Sequence, residues 1–420
     1  MNAISSNWLT EAAEIGFGID HLPIGVAEFS NGPVLVVAIG RYAINLASLS
    51  AAGLLTSLNI SLANFTSGNL NKFLSLGAKV HRELRSTLQN YILSDADLIK
   101  PHLHKRENLA MLCPLAPGDF IDFYSSLAHA ERCSHLPNNE HALSKAWKSM
   151  PLAYHSRAGA ILANGSQINR PLGQVSTKTG VKFRPTRMLD FEMELGFVIR
   201  QSTDFGQCLA PEDFTDYVFG VVLLNDWSAR DFQGYEAKPL GPFHSKSFAT
   251  QVSNWVTPIE ALEPFRCNKV YDKPVLTYLK EDRHNAYNLK LSASITSKKM
   301  QESRFPPLQI ADCKFQEIYW SPSQQLAHLT ANGAPIKAGD LFGSGTISGE
   351  LEHQMGCLLE RVADRLPPII LPDRSTRVWL KDGDKMIFEC SAQIGGNHVT
   401  LGPLEGSVAS ALKSRHISNQ

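Results

Sequence analysis

Residues 188–197 read MLDFEMELGF, with Asp190, Glu192 and Glu194 at every second position among Leu189, Phe191, Met193, Leu195 and Phe197. A period of two belongs to a β-strand, so the acids leave one face and an apolar row leaves the other. The apolar row must lie on a core. The acid face then has two readings. It is the wet side of an antiparallel strand, or it is a seat for a hard cation, because carboxylate oxygens held close together are what Mg²⁺ or Ca²⁺ takes. Side chains at i and i+2 point the same way, so Glu192 and Glu194 can reach one ion.

Other acids bear on that choice. The run VFGVVLLND, 218–226, reads as a fully buried strand ending at Asp226, and a carboxylate there is costly unless paired or bound to metal. In the DWSARDFQ that follows, Arg230 and Gln233 lie four and seven residues beyond Asp226. A helical turn there puts all three on one face. In DFIDFYSSLAHAERC, 119–133, Asp122 and His129 are seven apart, again compatible with one helical face. Histidine is the default general base near neutral pH, although an ordinary surface histidine fits that spacing equally well.

Length and charge bound the rest. The chain has 420 residues, 43% hydrophobic, with 40 Lys+Arg against 40 Asp+Glu. That supports two or three domains and gives no reason to expect nucleic acid or a membrane surface as partner. Seven cysteines are scattered without a CxxC pair, so reduced thiols are expected rather than a disulfide framework or structural zinc. The opening residues lack a signal-peptide pattern, and no apolar run approaches the ~20 residues of a membrane span. The expectation is a soluble, cytoplasmic protein.

Along the chain, 22–47 reads as short strands, and 69–92 as one periodic helix with Leu70, Phe73, Leu74, Gly77, Val80, Leu84, Leu88 and Tyr91 on its apolar face. CPLAPGD, 113–119, reads as a domain joint. Beyond it strand signals dominate: YNLKLSASIT alternates from Tyr287, and RVWLKDGDKMIFECSA reads as two strands about a turn at 382–384. A short helix is expected from Ser321 to Thr330, with Ser321 as N-cap and Pro322 at its first position.

Five motifs then stand in order: DFYSSLAH (122–129), LDFEMEL (189–195), LLNDWSARDFQ (223–233), PLGPFHSKSFAT (239–250) and SGTISG (344–349). Together they make the chain resemble the fumarylacetoacetate hydrolase family over nearly its whole length. The resemblance implies a mainly β (α+β) fold: a small N-terminal SH3-like barrel over 1–115 and a C-terminal mixed β-sandwich roll over 116–420. It implies a homodimer and hydrolysis of a carbon–carbon bond in a small β-diketo acid, foremost 4-fumarylacetoacetate.

Carried over by position, Asp122, Glu192, Glu194 and Asp226 become ligands of Mg²⁺ and/or Ca²⁺, Thr250 with the Lys246 segment helps hold a second cation near Asp226, and Asp190 is a bystander. His129 becomes the water-activating base and Glu360 the acid that orients it. Arg230, Gln233 and Lys246 stabilise developing negative charge, and Tyr124, Tyr154, Gln233 and Thr346 contact substrate.

The resemblance breaks at substrate-contacting positions. The segment after His129, AERCSHLPNNEH, lacks the family's arginine near Pro137 or Asn138, and the family's tyrosine beyond Gln233 is Ala237. The family's GYHGRAS is AYHSRAG, with Ser156 for glycine. Arginine binds carboxylates bidentately and alanine supplies no hydroxyl. The expectation is a changed acid or acyl pocket, with Arg132 or His135 as replacements. The alternative is therefore a relative acting on another β-diketone or β-keto acid by hydrolysis, decarboxylation or tautomerisation.

Overall fold

The computed structural model describes residues 8–136, 143–267, 274–282 and 285–413. The position of the missing arginine falls outside them.

Strands and helices contribute comparably. The short strands expected over 22–47 are Ile24–Phe29, Gly32–Ile39 and Tyr42–Asn45, which pair in sequence as an antiparallel meander. Its first strand pairs with Trp255–Pro258, Ile24 opposite Val256. The sheet therefore runs on through Val218–Asp226, Met193–Ile199, Leu341–Gly343, Phe120–Phe123 and Ala153–Ser156, within a set of 13 strands. A smaller sheet joins Leu308–Lys314, Lys290–Thr296, Lys385–Ile394, Leu404–Ala409 and Gln167–Asn169.

The 188–197 stretch behaves as its period requires. Met193, Leu195, Phe197 and Ile199 enter one core with Leu291 and Phe388 of the smaller sheet. Val198, Val222 and Leu224 enter a second core with Ile24, Val26 and Val37 of the N-terminal strands. The acid face is not wet: Asp190 and Glu194 are wholly buried and Glu192 nearly so. Ladder pairing stops at Phe191 and Glu192, which divides the stretch into Leu189–Asp190 and Met193–Ile199.

Three local readings change. The 69–92 helix is two, Asn71–Leu74 and Gly77–Ser94. Gly77 takes φ +82, and a right-handed helix does not continue through a left-handed residue. The 382–384 turn is present, with Gly383 at φ +86, but its first arm is no ladder partner. Thr376–Arg377 pairs with Ile369–Ile370 instead. Asp384 holds the approach, taking Arg377 Nη2 at 2.7 Å and the Lys381 N–H at 2.8 Å. Alternation from Tyr287 becomes strand only from Lys290. The Pro322–Thr330 helix is as expected, with the Ser321 hydroxyl accepting the Gln324 N–H at 3.2 Å.

The described cysteines are all free thiols, and no described helix is long and apolar enough to cross a membrane.

Candidate active site

Sheet register gathers the acids. Asp122 lies opposite Gly343, Gly343 opposite Gly196, and Glu194 opposite Leu224, two residues before Asp226 closes its strand. Gly343 makes the space: a Cβ there would stand 2.8 Å from Asp122 Oδ1 and 2.9 Å from Glu194 Oε2. Oxygens of Asp122, Glu192 and Asp226 come within 4.8 Å of one another.

Their partners are few. Tyr154 donates to Asp122 Oδ2 at 2.6 Å and to Asp226 Oδ2 at 3.1 Å. Thr250 donates to Asp226 Oδ1 at 2.7 Å. Lys246 donates to Asp226 Oδ2 at 2.8 Å and also to Glu192, and the Gly345 N–H reaches Glu194 Oε2 at 3.1 Å. Asp122 Oδ1 and Glu194 Oε1 remain buried without a partner. Burial, then the neighbouring carboxylates, push Asp122 and Glu194 well above the usual carboxylate range. Burial opposes the shift at Glu192, but Lys246 and Arg230 hold it down at about 2. Unmet oxygens in an all-oxygen nest are what a hard divalent cation relieves, so these residues fit Mg²⁺ or Ca²⁺. Thr250, bound to Asp226, belongs to that cluster.

A histidine stands beside the nest. His129 is not on a helical face with Asp122. Asp122 lies within the strand Phe120–Phe123, and His129 lies on the helix Leu127–Ser134 capped by Ser126. His129 Nδ1 is 3.5 Å from Glu360 Oε1. Ser348 donates to Glu360 Oε2 at 2.8 Å. Burial works to lower His129, but Cys133 and Glu360 beside it raise it well above the ordinary value. Burial likewise works to raise Glu360, and His129 with Arg132 draws it down.

Arg132 does not replace the missing arginine. It is locked behind the histidine, donating to Glu360 at 3.3 Å, Asp364 at 3.2 Å and the Gly349 carbonyl at 2.7 Å. His135 faces Asp364 at 3.6 Å.

Arg230 opens the helix Arg230–Glu236. It pairs with Glu192 Oε1 at 2.8 Å and Gln233 Oε1 at 3.0 Å, not with Asp226, which the strand carries elsewhere. Its Nη2 is buried with no partner. Asp190 is no bystander. It accepts Arg230 Nε at 2.8 Å and the N–H groups of Leu358 and Leu359 at 2.8 and 2.9 Å. One carboxylate thus ties the guanidinium to the start of the helix that carries Glu360. Asp190→Asn should lower kcat by about 10–100-fold with metal affinity nearly unchanged, as for other supporting hydrogen-bond partners. Parallel turnover and calorimetry would check this, and an unchanged kcat would return Asp190 to a purely structural part.

A cavity of about 490 Å³ joins these groups. Tyr124, His129, Tyr154, Arg230, Gln233, Lys246 and Thr346 line it, while Glu194, Asp226, Thr250 and Glu360 stand behind that lining. Ala237 is on its wall beside Lys238, which brings a positive charge there. Sequence reasoning missed Asp190 and Ser348. The signals available were the shared alternation with Glu192 and Glu194 and the serine within SGTISG.

Comparison with known proteins follows the same outline. A family model described as "Fumarylacetoacetate (FAA) hydrolase C-terminal" matches residues 120–409, and "Fumarylacetoacetase N-terminal" matches 20–114. The fumarylacetoacetase of Arabidopsis thaliana is 36% identical over 420 residues, covering 97% of this chain and 99% of that protein. That of Mus musculus is 34% identical, with the same shares. Among solved structures, the fumarylacetoacetate hydrolase of Exiguobacterium antarcticum superposes with TM-score 0.53 at 14% identity, covering 93% of this chain and 99% of that one. That last likeness is one of fold.

Proposed function

The chain belongs to the fumarylacetoacetate hydrolase family and is a hydrolase of carbon–carbon bonds, and on that footing we propose that it cleaves 4-fumarylacetoacetate to fumarate and acetoacetate, the last step of tyrosine breakdown. One observation carries the reading. The His129–Glu360 pair, the unmet Arg230 Nη2 and the acidic nest converge on a single cavity.

Glu360 holds a proton on His129 Nδ1, so that the lone pair on Nε2, beside Cys133 Sγ at 3.6 Å, is the one that accepts a proton from water. The resulting hydroxide adds to the diketone carbonyl. Arg230 Nη2, Lys246 and Gln233 then face the developing oxyanion, and each such donor is worth about 3 kcal/mol of the barrier. When the carbon–carbon bond breaks, its electron pair leaves as an enolate, and the imidazolium returns the proton. An ion held by Asp122, Glu192, Glu194 and Asp226 would supply the positive charge that makes the enolate a better leaving group. The His129–Glu360 pair favours hydrolysis over decarboxylation or tautomerisation, which need no activated water. Family membership also supports a homodimer, with Mg²⁺ or Ca²⁺ as the ion and the cytoplasm as the compartment.

Incubation with fumarylacetoacetate and Mg²⁺ should release both acids, with one oxygen from solvent in the new carboxylate. EDTA should stop the reaction and added Mg²⁺ restore it. No cleavage in excess metal would overturn the reading. Because Ala237 stands on the cavity wall, preferential hydrolysis of another 1,3-diketone would move the assignment to a relative with an altered acyl pocket.

A further inference from the structure

We infer that His129, Cys357 and Glu360 form a second metal site, suited to a soft divalent ion such as Zn²⁺, whose filling switches off the histidine as a base. One ligand atom of each residue lies within 4.8 Å of the others, close to the spacing such an ion needs. His129 Nδ1 is 3.5 Å from Glu360 Oε1, Cys357 Sγ is 3.6 Å from Glu360 Oε2, and Cys357 Sγ is 3.9 Å from His129 Nδ1. Bonds of about 2.0–2.3 Å to a tetrahedral zinc ion put neighbouring ligand atoms roughly 3.3–3.8 Å apart. All three residues are buried and their backbones are fixed: His129 by the Ser126-capped helix, Cys357 and Glu360 by the chain that Asp190 anchors.

The two nests sort metals by chemistry. Asp122, Glu192, Glu194 and Asp226 offer oxygen alone, which suits a hard ion. Imidazole, thiolate and carboxylate together suit zinc, cobalt or cadmium. Cys133 does not join the set, because its Sγ lies 3.6 Å from Nε2, on the other side of the ring. An ion on Nδ1 displaces the proton that Glu360 holds there. The neutral ring then carries its remaining proton on Nε2, and no lone pair is left to take one from water. Inhibition follows without any change in the acidic nest. That arm rests on His129 being the base, whereas the metal site itself does not.

The test uses the full-length protein, stripped with EDTA and returned to excess Mg²⁺. One equivalent of Co²⁺ should give a near-ultraviolet thiolate-to-cobalt charge-transfer band, and Zn²⁺ should erase it. Stoichiometric Zn²⁺ should abolish fumarylacetoacetate hydrolysis, and EDTA followed by Mg²⁺ should restore it. Cys357→Ser should keep its turnover in Mg²⁺ alone and lose the cobalt band. It should also raise the zinc needed for half-inhibition by at least about 100-fold, since even outer partners of a metal are worth about 10–100-fold. Cys357→Ala serves equally if the serine variant misfolds. No band in the native protein, or a band that persists in both variants, overturns the site. A band without loss of turnover overturns the switch and the role given to His129.

Discussion

Replacing His129 with alanine is expected to cut turnover by about 10³-fold, roughly 4 kcal/mol of barrier, while metal affinity stays within about twofold. The imidazole is the group in the cavity that Glu360 backs at 3.5 Å, and it is not part of the oxygen cluster of Asp122, Glu192 and Asp226. Glu360→Gln should fall by a similar factor for a different reason. An amide no longer fixes the proton on Nδ1 or stabilises the imidazolium, and the corresponding change in a Ser-His-Asp triad costs about 10⁴-fold. Steady-state turnover beside calorimetric Mg²⁺ and Ca²⁺ titrations separates the two quantities. Near-native turnover in His129→Ala, or loss of metal with turnover kept, would reverse the assignment.

Glu194→Gln is the second large effect, and its two signs differ. In the metal-free protein burial, and then the charges of Asp122, Glu192 and Asp226 beside it, raise Glu194 well above its ordinary 4.5. A folded-state value above the unfolded one means the native form binds the extra proton. Stability from that group is therefore present at low pH and lost as pH rises above about 4.5. Glutamine removes the repulsion, so metal-free Glu194→Gln should melt at or above the wild-type temperature near neutral pH. The gain from metal should vanish with it. An ion at about 100 times its dissociation constant stabilises the wild type by about 2.7 kcal/mol, and the variant should show almost none of this and lose nearly all turnover. Thermal melts with and without Mg²⁺ decide it, and an undiminished metal gain would place the ion elsewhere.

What could be read in advance followed local periodicity. The alternation at 188–197 fixed which residues entered the core, and Leu195 and Phe197 lie where it put them. The serine–proline start at 321–322 fixed a helix end because capping is decided within one turn. The acid face could not be decided locally, since a wet face and a metal seat share the same spacing. The outcome depends on Asp122 arriving through Leu341–Gly343 and on Gly343 leaving room for two carboxylates. Asp190 was passed over for the same reason. Its partners, Arg230 and the N–H groups of Leu358 and Leu359, lie 40 and about 170 residues further on. Arg132, a candidate replacement for the missing arginine by sequence, is instead held by Glu360 and Asp364.

The pairing of Ile24 with Val256 has a consequence for how the protein is made. A ribosome adds residues in order, so Ile24 and Gly25 emerge more than 200 positions before Val256 and Trp255, whereas Val26–Glu28 meets Ala110–Leu112 much sooner. Until then the Ile24–Gly25 end of that edge stays open to other nascent chains, an invitation to aggregate. The enzyme cannot mature piecemeal, because the histidine's partner at 360 leaves the tunnel later still. Truncated products therefore carry the exposed edge and no activity, and chaperone demand should be greatest while the middle of the message is being translated.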